Sequence, residues 1–150
     1  MKVIKYFFEF ISIISLFCIF KIFGLRNASN FGSLLGRTLG PLFRSKYVIK
    51  QNIKNAFGEI DKKKETEIIN DMWSNIGRTF AEYVFLKDFK LNKTSFNHIK
   101  ISGTNYLQKI KDNNEVVVFF SAHLANFELM AMELNKFGIK CAAIYRPLNN

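Results

Sequence analysis

The stretch "EVVVFFSAHLANFELM", Glu115 to Met130, decides how the chain is read. It opens with an apolar run of strand length, as in a strand covered on both faces. The run breaks at Ser121, His123 follows, and Glu128 comes five residues after the histidine. From there "NFELMAMELNKFG" places Phe127, Met130, Ala131, Leu134 and Phe137 on one helical stripe, with Gly138 as its stop. Downstream, "IKCAAIYR" reads as another strand, ended by Pro147. Upstream, "HIKIS" alternates as a strand and leads into a short helix over residues 103–112. Strand, helix, strand, helix, strand predicts an α/β fold, with parallel strands flanked by helices and right-handed crossovers. In such sheets chemistry gathers beyond the carboxyl ends of the strands. His123 and Arg146 each fall at such an end.

The chain before this region has a different character. "YFFEFISIISLFCIFKIFGL", Tyr6 to Leu25, holds 13 Phe, Ile and Leu residues. As a helix, 20 residues span about 30 Å, the thickness of a bilayer core. Each of those apolar side chains favours insertion by roughly 0.3 to 0.6 kcal/mol. Glu9 and Lys21 oppose insertion, but both lie near the ends, where a charge costs less. A cleaved signal peptide would need a small-x-small site, and Arg26-Asn27-Ala28 is a poor one. A buried core helix is the other bland alternative. A single membrane anchor is the reading adopted.

The charge supports it. The net charge is +10, and from Met1 to Lys64 twelve Lys/Arg face three Asp/Glu, a net of +9. Between Arg26 and Lys64 nine basic residues face two acids. The positive-inside rule then puts everything after Leu25 in the cytoplasm, with one pass through the membrane. Basic residues beside an apolar helix suit an anionic lipid surface, and no nucleic-acid motif appears. Cys18 and Cys141 have no Cys or His neighbour at metal-ligand spacing, and they read as small apolar residues in a reducing compartment. No metal or cofactor is expected.

Residues 26–95 read as helical. "NFGSLLGRTLGPLF" gives a short helix broken at Gly40-Pro41. A second helix carries Tyr47, Ile49, Ile53 and Phe57, and "GEIDKKKE" is a polar connector. The clearest helix is "TEIINDMWSNIGRTFAEYVFL", with Ile69, Met72, Trp73, Ile76, Phe80, Tyr83 and Val84 at helical spacing. Thr66 is the expected cap. Three regions follow: anchor 1–25, basic juxtamembrane and helical region 26–95, and α/β core 96–150.

A histidine leaving a strand and a carboxylate in the first turn of the next helix can fold together. The carboxylate fixes the imidazole tautomer and stabilises the imidazolium, which leaves the other ring nitrogen to take a proton from a hydroxyl. That is the base and orienter of a triad, with the substrate's alcohol as nucleophile. The structural alternative is a histidine that caps the helix, with Glu128 there for the helix dipole. A hydrolase built on Ser121 lacks the G-x-S-x-G elbow.

"FFSAHLANFELM" followed by "IYRPLNN" resembles the lipid A biosynthesis lauroyl/myristoyl acyltransferases, which carry an H-x4-D/E motif. The apolar first helix, "GSLLGRTLGPLF", "NIKNAFGE" and the helix around Trp73 look like that family's order of parts. Gly58 stands where the family often has proline. The resemblance implies an acyltransferase-type sheet that continues beyond Asn150, so the chain reads as the N-terminal portion of such an enzyme. A second chain could complete the fold, and the sequence leaves open whether one does. It implies transfer of a fatty acyl group from acyl carrier protein to a hydroxyacyl group of a lipid A precursor in lipopolysaccharide biosynthesis. His123 becomes the general base, Glu128 its partner, and Arg146 and Asn126 candidates for binding the acceptor. The alternative is a catalytically inactive membrane-anchored remnant or interaction protein.

Overall fold

The computed structural model describes residues 2–91, 99–122 and 124–144, and its contacts divide the chain into two units, Met1–Phe85 and Leu86–Asn150.

The first unit is built from three helices. The first, α1 (Lys2–Leu39), is interrupted at Gly24, where φ 73 and ψ 162 leave the helical region. That combination is essentially open to glycine alone. The bend is large. In a straight helix Phe20 and Phe31 would stand about 16 Å apart along the axis, yet their rings meet at 6.1 Å. Phe23 reaches Phe31 at 5.8 Å. Before the bend the apolar side chains Phe7, Phe8, Phe10, Ile11, Ile13 and Ile14 are exposed. Lys5 pairs with Glu9 at 3.5 Å, and Lys21 lies 4.8 Å from the centre of the Phe85 ring. The apolar segment expected to be an anchor is therefore helical up to Gly24, and its two charges have partners. The segment from Val3 to Leu42 meets the length and hydropathy of a membrane-crossing helix.

Past the bend, α1 packs against α3 (Lys62–Glu82). Gly32 and Gly36 face Gly77, and Gly40 faces the Trp73 ring, with no room for a methyl group at any of them. A Cβ on Gly32 would stand 2.8 Å from that of Ala81. These glycines let two backbones approach closely, as small residues do where helices cross at short range. Ser33, buried, shares a 2.7 Å hydrogen bond with Ser74 across the crossing. Arg78 donates to Asn30 at 2.9 Å and to Ser29 at 3.3 Å. At the far end of α3 the Phe80 ring meets Phe17 and Phe20, at 5.3 and 6.4 Å. The chain breaks after Leu39 into a 3-10 turn, Gly40–Leu42, as the Gly-Pro pair predicts. Then α2 (Lys46–Phe57) buries Ile49 and Ile53 against Trp73, with Ile60, Ile68, Ile69 and Met72 closing the cluster. One expectation shifts: Asp61, not Thr66, caps α3. Its carboxylate accepts from Lys64 N at 2.9 Å, while the Thr66 hydroxyl donates back to Lys62 O inside the helix.

The second unit has α4 (Leu86–Lys90), α5 (Thr104–Asp112) and α6 (Glu128–Lys136). Among the described residues Phe89 of α4 and Leu134 of α6 are its buried side chains. The Lys136 ammonium joins the two helices, donating to Phe89 O at 3.2 Å and to Glu133 at 2.6 Å.

The predicted α/β fold is not found. Among the described residues there is no strand, and the architecture is helical. The helices expected around the strands are present as α5 and α6. The runs expected as strands are irregular instead, over residues 99–102, 115–121 and 139–144; residues 98, 145 and 146 lie outside the described part. Exposure along Val116 to Phe120 runs 101, 37, 77, 38 and 92%. This two-residue alternation is that of extended chain. A strand, however, exists only when its N–H and C=O groups pair across about 4.8 Å with a neighbour. No ladder forms among the described residues, so local extension does not become a sheet.

Candidate functional site

The carboxylate half of the predicted pair sits where the sequence places it. Glu128 is the first residue of α6, exposed, at the positive end of the helix dipole. The turn that delivers it is tight. Leu124 N donates to Ala122 O at 2.8 Å, and Ala125 adopts φ 47. A left-handed alanine is disfavoured by roughly 1–2 kcal/mol, so the approach to α6 holds local strain. Leu129 N bonds to Asn126 O at 3.2 Å and Met130 N to Phe127 O at 3.1 Å, which winds the first turn tightly. Phe127, at the cap position, offers no side-chain acceptor to the helix N–H groups. Asn126 is half-buried just before them. A carboxylate and an amide thus share one turn at the positive end of the α6 dipole.

His123 and Arg146 lie outside the described residues. Of the four predicted site residues, the structure brings Asn126 and Glu128 together within one turn. Among the described residues no cluster of three or more His, Cys, Asp or Glu could hold a metal. Cys18 and Cys141 are free and exposed. The displaced titrations lie elsewhere. The hydrogen bond that Lys54 donates to Glu59, and then the charge of that carboxylate, raises the Lys54 pKa, and Glu67 does the same for Lys64; both lysines are exposed.

One feature of the first unit escaped the sequence reading. A groove of about 450 Å³ opens between the segment after the 3-10 turn, α2 and α3. The sequence signal was present in Leu42-Phe43-Arg44, two bulky apolar residues and a cation just after a Gly-Pro break.

The whole chain, residues 1–150, matches the family model of the bacterial lipid A biosynthesis acyltransferases. The class is therefore an acyl-transferring enzyme family of lipid A synthesis. The chain belongs to that family, in agreement with the resemblance carried by "FFSAHLANFELM" and "IYRPLNN". Comparison with curated proteins and with solved structures finds no match.

Proposed function

We propose that the protein is a membrane-anchored O-acyltransferase that moves a fatty acyl chain from acyl carrier protein to a hydroxyacyl group of a Kdo-bearing lipid A precursor. The observation that carries this reading is the family match over the whole chain, with Glu128 of the H-x4-E spacing opening α6. His123 takes the proton of the acceptor hydroxyl, and the hydroxyl oxygen attacks the thioester carbonyl. The C–S bond breaks, the ester forms, and the imidazolium returns the proton to the leaving thiolate. Glu128 orients the ring through its other nitrogen. The positive end of the α6 dipole steadies the oxyanion. Asn126 and Arg146 bind polar groups of the acceptor, the arginine as a partner for phosphate or carboxylate.

The test uses membranes from cells that express the full chain. They are given acyl-loaded carrier protein and the lipid A precursor, and ester formation is measured. Transfer by the wild type and its loss in His123→Ala, with membrane recovery unchanged, is the expected result. No transfer by wild-type membranes would point to the inactive anchored protein instead. Transfer at full rate by His123→Ala would remove the base assignment.

A further inference from the structure

The groove in the first unit has no part in the chemistry proposed above, yet its make-up is specific. Its floor is Trp73 and Ile53, and its rim carries Phe43, Phe57, Ile76 and Arg44. Phe43 is 82% exposed and Phe57 61%. Leu42, beside Phe43, is exposed as well. Large apolar side chains held in water around an apolar hollow mark an interaction surface. The hollow falls in the range of small-molecule sites, roughly 300–1,000 Å³.

Charge narrows the choice of partner. The lysines on one flank of α2 are occupied: Lys50 pairs with Glu65 at 3.0 Å, and Lys54 pairs with Glu59. Arg44, at the groove itself, makes no ion pair among the described residues. It stands in a segment with nine basic and two acidic residues between Arg26 and Lys64. A buried indole usually finds an acceptor, yet the Trp73 N–H has none among the described residues. An apolar hollow, aromatic rim, unpaired arginine and basic surround match a bilayer leaflet, whose acyl chains lie beneath phosphate. Basic residues near an anionic surface strengthen attachment to it. An acidic protein would satisfy the cations, but it would leave Phe43 and Phe57 without a complement.

We propose that this groove is a second membrane contact, separate from the apolar helix. Phe43 and Phe57 enter an anionic leaflet, Arg44 holds a lipid phosphate, and the hollow over Trp73 receives acyl chain. The segment from Leu42 to Phe57 then lies in the interface plane, as amphipathic elements of peripheral enzymes do.

Trp73 is the single tryptophan, so its emission reports on this groove alone. The full-length protein is mixed with vesicles of phosphatidylglycerol whose acyl chains carry bromine, a contact quencher. Strong quenching of Trp73 is expected, with clearly less in brominated phosphatidylcholine. Phe43→Ser and Arg44→Glu, both at exposed positions, should each reduce quenching while leaving the unfolding midpoint unchanged. Carbonate extraction, run in parallel, reads the apolar helix. Quenching is expected whether or not that helix resists extraction, so the two membrane readings fail separately. Unquenched Trp73 in the anionic vesicles would overturn the proposal. So would a Trp73 spectral shift caused by acyl carrier protein and not by lipid, which would assign the face to an acidic protein.

Discussion

Gly77 shows how much a missing side chain can hold. A methyl group there would run into the backbone of Gly32, and one on Gly36 would stand 3.1 Å from the Gly77 Cα. Gly77→Ala must push the helices apart and loosen the Ser33–Ser74 bond that the crossing buries. Overpacking of this kind destabilises by about 1–3 kcal/mol. Each kcal/mol lowers the midpoint by about 4–8 °C in a unit of this size. Thermal unfolding followed through Trp73 should show that drop, and an unchanged midpoint would contradict the close crossing. At the other residue-scale site the contrast lies between the proposed base and its proposed orienter. Glu128→Gln keeps shape and removes charge, so its loss of transfer should be smaller than that of His123→Ala. General-base catalysis contributes about 10²–10⁴-fold, and equal losses in the two variants would mean that Glu128 does more than orient the ring.

Among the elements, Gly24 sets the shape of α1. Alanine is strained at φ 73, ψ 162 by about 1–3 kcal/mol, and straightening relieves that strain at the expense of the contacts of Phe20 and Phe23 with Phe31. Spin labels at exposed Ile14 and Leu34, in a background without Cys18 and Cys141, measure the choice. Twenty residues of straight helix span about 30 Å. In Gly24→Ala the label separation should lengthen towards that value, and no change would mean that packing alone holds the bend. The sequence reading saw this segment as apolar and helical but not as bent, because a single glycine inside an apolar run carries no local sign of its φ. The helices α2, α3, α5 and α6 were legible because a 3.6-residue period is written within one segment. Val116 to Phe120 were misread as strand for the converse reason. Their continuous apolar run and extended backbone are local, but a sheet is a pairing between segments, and no pattern inside one segment supplies the neighbour. Gly40-Pro41 was read as the helix break, and the chain breaks there; Gly32 and Gly36 were given no role, and they are sites of close helix approach. The position of Glu128 at the start of α6 was legible from the amphipathic stripe that follows it. The groove at Phe43 was not, since it is made of residues from separate elements.

For the molecule as a whole, family membership fixes the reaction class, and the distribution of charge and apolar surface governs where that reaction is met. A lipid A precursor is an amphiphile, and its hydroxyacyl groups lie at the depth of the interface rather than in free solution. An enzyme for it gains by being held at that surface, which turns a search in three dimensions into one in two. The first half of α1 suits this, with its exposed Phe and Ile side chains and a length that covers a bilayer core. Orientation follows from what comes after it. Nine basic residues against two acids directly follow the apolar stretch, and such a segment resists translocation because its charges would have to leave the cytoplasmic side. The protein should therefore remain with membranes after a carbonate wash. A tag at its C-terminus should survive protease added to intact spheroplasts and be lost once they are lysed. Recovery in the soluble fraction would remove the anchor. Cleavage in intact spheroplasts would reverse the orientation, and with it the access of a cytoplasmic acyl donor to His123.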